Sequence, residues 1–303
     1  MAARKNAIRQ SRGERIFEIV VLSILILLSF AMLFPFINLL AKSLSGEYPV
    51  LRGEVFLWPK EFQIGTYQYV MRQNLFFSSL RNTLIITLAG TFGAMLVSCM
   101  TAYPLAKTYL VGRKWIILYF VFTMLFSGGM VPGYLLMRTL GLINTLYVLF
   151  VPSLLSVYNM ILLKNFFEEI PASVEESAQL DGAKNMTILF RIVLPMSLPA
   201  IATIGLFYAV AFWNNYMTGI MYITRPNLKP LQQYLYEVIT EVQNAEMAES
   251  MGTLDADTSV RASLNTESIR AATIMLSTLP IMCVYPFLQK YFVSGLRVGS
   301  VKG

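Results

Sequence analysis

Glu175, Glu176 and Asp181 fall within EESAQLDGAKNMTILFRIVLPMSLP (Glu175–Pro199), a stretch set between two long apolar segments. The chain contains no histidine, which removes the commonest general base and the commonest metal ligand. What these residues can do instead is cap helices and present a surface. Ser173-x-x-Glu176 fits a capping box, and a short helix over Val174–Leu180 follows from it. Gly182 can take the left-handed conformation that closes such a helix. A second helical stretch begins near Ala183, and Pro195 and Pro199 bend its entry into the next apolar run. Ser177, Ala178, Gly182 and Ala183 are small, so another protein can approach closely. A structural reading stands beside each of these. The capping box by itself accounts for Glu176, capping of the next helix accounts for Asp181, and a bend without a partner accounts for the prolines.

The elements that must position this segment are membrane spans. Of 303 residues, 56% are hydrophobic and only 14% are charged, against about 25% charged in a soluble domain. Six runs meet the length of roughly 20 apolar residues that a spanning helix needs: Phe17–Leu40, Leu80–Ala106, Trp115–Met137, Leu146–Leu163, Leu189–Gly219 and Ala271–Phe292. A basic arm, residues 1–16, precedes the first, which reads as a retained anchor. With the N-terminus inside, the inside segments hold 14 Lys and Arg against 7 Asp and Glu, and the outside segments 10 against 10. The excess of positive charge on one side orients both termini toward the cytoplasm. The expected fold is therefore an all-α integral membrane domain over 17–303 with six transmembrane helices, N-in and C-in. Outer loops fall at about 41–79 and 220–270, and the segment of about 164–190 between helices 4 and 5 is cytoplasmic. The 220–270 stretch is long and polar, which suggests a binding loop or a short domain.

Several functions lose support. No Asp or Glu lies in the middle of any span, which disfavours an ion-coupled carrier. The phosphate-cradling pattern G-x-x-x-x-G-K-[ST] is absent, as are G-x-S-x-G and H-E-x-x-H, which disfavours a membrane-embedded enzyme. If the chain moves a solute uphill, the energy must come from another subunit. The net charge of +7 flanks spans, so nucleic acid is not an expected partner. Cys99 and Cys283 sit in apolar runs and read as small core residues.

Glu176-Ser177-Ala178-x-x-Asp181-Gly182-Ala183, followed by Phe190 and Leu194-Pro195-x-x-x-Pro199, resembles the cytoplasmic E-A-A…G loop of ABC importer permeases, with Ser177 in place of the first alanine. The stretch from Phe126 to Pro171 and the tail KYFVSGLRVGSVKG resemble the carbohydrate branch of that family, the maltose-permease-like group. The likeness is to its members for complex or acidic oligosaccharides such as alginate or pectin fragments. The resemblance implies a permease subunit in a bacterial cytoplasmic membrane that is not itself an enzyme and carries no cofactor. It implies a second, homologous permease, two ATPase subunits that bind ATP and Mg, an extracytoplasmic solute-binding protein and a carbohydrate substrate moved by alternating access. It makes Glu175, Glu176, Ser177, Ala178, Asp181, Gly182, Ala183, Phe190 and Pro195 the ATPase-coupling segment, and it brings Arg297 and Lys302 of the tail to the ATPase, where a flexible end is the alternative. Because sugars offer hydroxyls and flat C–H faces, Tyr158 and Asn159, and Tyr208, Phe212, Trp213, Asn214 and Asn215, are substrate-pathway candidates. Tyr208, Phe212 and Asn215 fall on one helical stripe. Interhelical hydrogen bonding and interfacial anchoring are the alternative for this set. A permease for amino acids or peptides is the rival within the family.

Overall fold

The computed structural model describes residues 12–250 and 267–283. They contain helices and no strand. In chain order the helices are α1 (Arg12–Ser43), α2 (Glu47–Leu51), α3 (Gly65–Arg72), α4 (Asn74–Ala106), α5 (Arg113–Leu125), α6 (Met130–Thr139), α7 (Val157–Glu168), α8 (Ala172–Leu180), α9 (Asn185–Ile188), α10 (Leu194–Met196), α11 (Leu198–Trp213), α12 (Met217–Tyr222) and α13 (Leu231–Ser250), followed by a helix, α14, over 267–283. They divide into two compact units, one from 12–70 with 242–250 and 267–275, the other from 71–241 with 276–283.

In the first unit α1 is apolar and solvent-exposed along almost its whole length, as a helix facing lipid or another subunit is. Its C-terminal end is tied down by polar contacts. Asn38 Nδ2 donates to the carbonyls of Val55 and Phe56, and Gln63 Nε2 donates to the carbonyl of Ser45. Lys42 pairs with Glu267 at 2.6 Å.

The second unit is built on α4. Its residues Ile86, Gly90, Ala94, Ser98 and Ala102 recur every four positions and are buried. That stripe of mostly small side chains lets α11 and α7 approach closely. Gly90 makes the tightest use of that space, since a Cβ there would stand 3.0 Å from three atoms of the Phe212 ring, which would have to shift. Met160, Leu163 and Phe167 of α7 and Ile204 of α11 complete the core.

Among the described residues two helices, α1 and α4, are each long and apolar enough to cross a membrane, or up to five segments if each bent pair is one span. The expected spans are thus corrected in shape. Trp115–Met137 is not one helix: α5 and α6 meet at 106°, with Gly129 at φ +86° before α6. Leu146–Leu163 opens with two 3₁₀ turns, Leu146–Leu149 and Val151–Ser153, and bends by 48° into α7. Ser156 caps α7 by accepting from the Asn159 N–H at 3.4 Å. Leu189–Gly219 breaks at Ser197, where Asn185–Met196 and α11 meet at 88°. The prolines explain this break. Pro195 and Pro199 have no N–H to give to a carbonyl four residues back. The chain answers with a π-helical segment over Leu189–Val193 before Pro195 and a fresh helix start at Leu198, with Pro199 in its first turn, where no N–H is needed. Of the expected sixth span, Ala271–Phe292, α14 covers the part up to 283, and the rest lies outside the described residues. So do the arm before residue 12 and the tail with Arg297 and Lys302. The long polar stretch 220–270 contains α13, a 20-residue helix, and its residues 251–266 lie outside the described residues.

Candidate functional site: the α8 segment and its anchor

Helix α8 begins at Ala172, two residues ahead of the expected Val174, because Pro171 serves as the capping residue with its φ already set at −57°. This displaces the capping box: no side chain caps the N-terminus, and the Ser173 carbonyl accepts from Ser177 Oγ at 2.9 Å. The C-terminus closes as a Schellman turn. The Ala183 N–H donates to the Ala178 carbonyl and the Gly182 N–H to the Gln179 carbonyl, both at 2.9 Å, with Gly182 at φ +81°. Asp181 is the C-terminal capping residue of α8 and is exposed. It does not cap α9, whose N-terminus has no side-chain cap.

The two faces of α8 differ. Glu176, Ser177, Leu180, Asp181 and Gly182 are exposed, Leu180 by 89%. Phe190 and Pro195 beyond the turn are exposed as well, and Ala183 is half-buried. Glu175 and Ala178 turn inward: Glu175 is only 7% exposed, and its carboxylate is ion-paired with Lys107. Two of the nine residues expected to face a partner are therefore buried against their own chain, and Ala183 is partly packed there too. Lys107 also sits 4.4 Å from the centroid of the Tyr103 ring. A desolvated pair of this kind leaves a stranded charge if either partner is removed, at a cost of roughly 3–5 kcal/mol. Beside it, Arg113 pairs with Glu168, Lys164 pairs with the same carboxylate at 2.8 Å, and Arg113 Nε donates to the Leu105 carbonyl at 2.8 Å. One ion pair thus joins the end of α4 to α8, another joins the start of α5 to the end of α7, and the Arg113–Leu105 hydrogen bond links α5 to α4. Lys107 had no sequence signal beyond its place after an apolar run, since its partner lies 68 residues away.

The aromatic candidates have a different fate. Tyr208 is buried, and its hydroxyl accepts from the Ser156 N–H at 2.9 Å and bonds Ser98 Oγ at 2.7 Å. Phe212 and Trp213 are buried too, with Phe212 filling the space left by Gly90. The expected stripe ends early: α11 stops at Trp213, so Asn215 does not continue it. Asn215 Oδ1 instead accepts from the Thr218 N–H at 3.2 Å at the start of α12. Asn159 is buried in α7. Tyr158 and Asn214 are exposed.

At the far end of α4, Asn82 and Thr83 are buried and hold the segment 227–231. Asn82 Nδ2 donates to the Asn227 carbonyl at 2.9 Å and the Lys229 carbonyl at 3.2 Å, and Thr83 Oγ1 accepts from the Leu231 N–H at 2.7 Å. Asn144, at φ +58°, accepts with Oδ1 from the N–H groups of Thr224 and Arg225. These polar latches were not foreseen from the sequence.

A protein-family model described as the binding-protein-dependent transport system inner membrane component matches residues 7–298. The polygalacturonan/rhamnogalacturonan transport system permease protein YtcP of Bacillus subtilis is 38% identical, covering 96% of this chain and 99% of its own length. Protein LplC of the same organism is 36% identical over 98% of this chain. Among solved structures, a chain of a bacterial ABC transporter involved in import of the acidic polysaccharide alginate superposes with a TM-score of 0.84 at 32% identity. It covers 94% of this chain and 100% of its own. With a helical fold, long apolar spans and matches of this extent, the chain belongs to the binding-protein-dependent transport system inner membrane components and is a transport component rather than an enzyme.

Proposed function

We propose that this chain is one of two homologous permease subunits of an ATP-driven importer for acidic oligosaccharides, fragments of pectin- or alginate-type polymers, in a bacterial cytoplasmic membrane. The observation that carries the reading is the end-to-end match, at 32% identity, to the alginate importer's chain. The pectin-related name of YtcP points to the same uronic-acid chemistry.

In this reading six spans, some of them broken, place both termini in the cytoplasm. The exposed face of α8, with Glu176, Ser177, Asp181 and Gly182, docks in a groove of the ATPase. Phe190 and Pro195 flank it, Glu175 and Ala178 hold it from behind, and Arg297 and Lys302 of the tail reach the same ATPase. Nucleotide and Mg belong to two ATPase subunits. A loaded solute-binding protein delivers sugar at the opposite face, where α13 begins. Tyr158 and Asn214, being exposed, are the candidates for sugar contact, whereas Tyr208, Phe212 and Trp213 support the helices behind them. ATP closes the ATPase pair, α8 carries that motion into the spans, and the pathway turns outward.

The test is reconstitution of this chain with its partner permease, ATPases and binding protein in liposomes. ATP-dependent uptake of oligogalacturonides or alginate oligosaccharides, exceeding that of maltooligosaccharides, is expected. Uptake of peptides, or uptake without the ATPase, would overturn the assignment. Orientation is checked in a background lacking Cys99 and Cys283. A single cysteine at Ser11 or Ser300 should resist an impermeant thiol reagent in intact cells, and labelling of either would place the α8 segment on the wrong side.

A further inference from the structure

Helix α4 differs from the three bent apolar segments of its unit. The α5–α6, Leu146–Glu168 and Asn185–Trp213 segments are bent by 106°, 48° and 88°, whereas α4 runs unbroken for 33 residues. Between Asn82 and Lys107 it covers roughly 38 Å at 1.5 Å per residue. Polar side chains latch it at both ends. At one end the Asn82 amide and the Thr83 hydroxyl grip the backbone of 227–231, where α13 starts. At the other, Lys107, its C-terminal capping residue, is ion-paired with Glu175 of α8, the two side chains being 13% and 10% exposed.

Both latches suit the transfer of displacement. Asn82 and Thr83 bind main chain, so the outer segment cannot shift without breaking buried hydrogen bonds. The Lys107–Glu175 pair is desolvated on both sides, so sliding apart strands two charges. Ala178 is the other α8 residue with a buried side chain. The pair is therefore the principal polar tie between a nine-residue helix and the rod beside it.

We propose that α4 is the transmission rod of this permease, with Lys107 and Glu175 as one pair of positioning residues and Asn82 and Thr83 as the other. Through them the start of α13 and the helix α8 move together. This rests on the reading that α8 docks on the ATPase and that α13 begins on the binding-protein side. Arrival of a loaded binding protein then reaches the ATPase without passing through the bent segments.

The experiment uses the whole reconstituted transporter and measures how far the loaded binding protein stimulates ATP hydrolysis, beside the amount of ATPase that copurifies. Glu175→Gln and Lys107→Met should each retain the ATPase and lower the stimulation at least about fivefold. The double exchange Lys107→Glu with Glu175→Lys should recover at least half of it. Thr83→Val should lower it about threefold. Unchanged stimulation in Glu175→Gln would overturn the proposal. So would an exchange that assembles without recovery, and so would loss of the ATPase from both single variants, which would make the pair a scaffold of the loop only. A cysteine at Leu180, with Cys99 and Cys283 replaced, separates this from the docking reading. Failure to cross-link to the ATPase in the otherwise unaltered complex defeats docking. Cross-linking together with undiminished stimulation in Glu175→Gln defeats the rod alone.

Discussion

Helices α8 and α11 use their side chains in opposite ways. Helix α8 has nine residues and buries only Glu175 and Ala178 on its own chain, with Val174 half-buried and the other six exposed. Helix α11 has sixteen and turns Tyr208, Phe212 and Trp213 inward, where the Tyr208 hydroxyl is taken by Ser156 and Ser98 and the Phe212 ring by Gly90. A short helix held by one ion pair and a glycine turn leaves most of its side chains free of its own chain. A long helix with its aromatics satisfied internally is built to hold neighbours in place. Side-chain chemistry alone does not distinguish the two, because tyrosine and tryptophan suit a sugar and a helix interface equally.

Substitutions can break that contrast, and the largest effect is expected at Gly182. Its φ of +81° costs a β-branched residue about 1–2 kcal/mol, and no heavy atom lies within 4 Å of where a Cβ would go. Gly182→Val has no internal clash to relieve, so the added atoms face outward. Uptake should be lost and copurifying ATPase should fall, while membrane insertion of the permease is unchanged. Full uptake with a full complement of ATPase would remove α8 as the docking element. Gly90→Val acts the other way. It drives a side chain into the Phe212 ring and should lower permease stability by about 1–3 kcal/mol through overpacking. A thermal melt of the purified protein should show this, with uptake falling only as folded protein does.

Tyr208→Phe sharpens the comparison. It leaves the Ser156 N–H without its acceptor and should cost about 1–2 kcal/mol of stability. The sugar concentration for half-maximal uptake should not move. A marked rise in that concentration at unchanged stability would return Tyr208 to the substrate pathway. The smallest effect belongs to Asp181→Ala. Asp181 is exposed, its backbone N–H donates to the Ser177 carbonyl, and its side chain makes no hydrogen bond or ion pair within the described residues, so removing the carboxylate should change stability by less than about 0.5 kcal/mol. Any loss of uptake in this variant then reports contact with a partner.

Clustered apolar runs and scarce charge were enough to read a helical membrane subunit from the sequence, because the bilayer admits few ways to bury a backbone. The turn at Gly182 and the bend near Pro195 and Pro199 were legible for the same kind of reason: φ above zero favours glycine, and proline removes a hydrogen bond wherever it stands. The capping box was misread because Pro171 starts α8 earlier, and the Tyr208–Asn215 stripe because α11 stops at Trp213. Local pattern sets the period of a helix, but not the residue at which it ends. Which carboxylate turns inward was decided by tertiary structure alone. Glu175 and Glu176 are adjacent and chemically alike, and only the arrival of Lys107, 68 residues away, makes one an anchor and leaves the other exposed. The same holds for Asn82 and Thr83, whose partners at 227–231 lie about 145 residues further along the chain. A desolvated polar group must find its partner wherever the fold brings one, and sequence distance carries no information about that meeting.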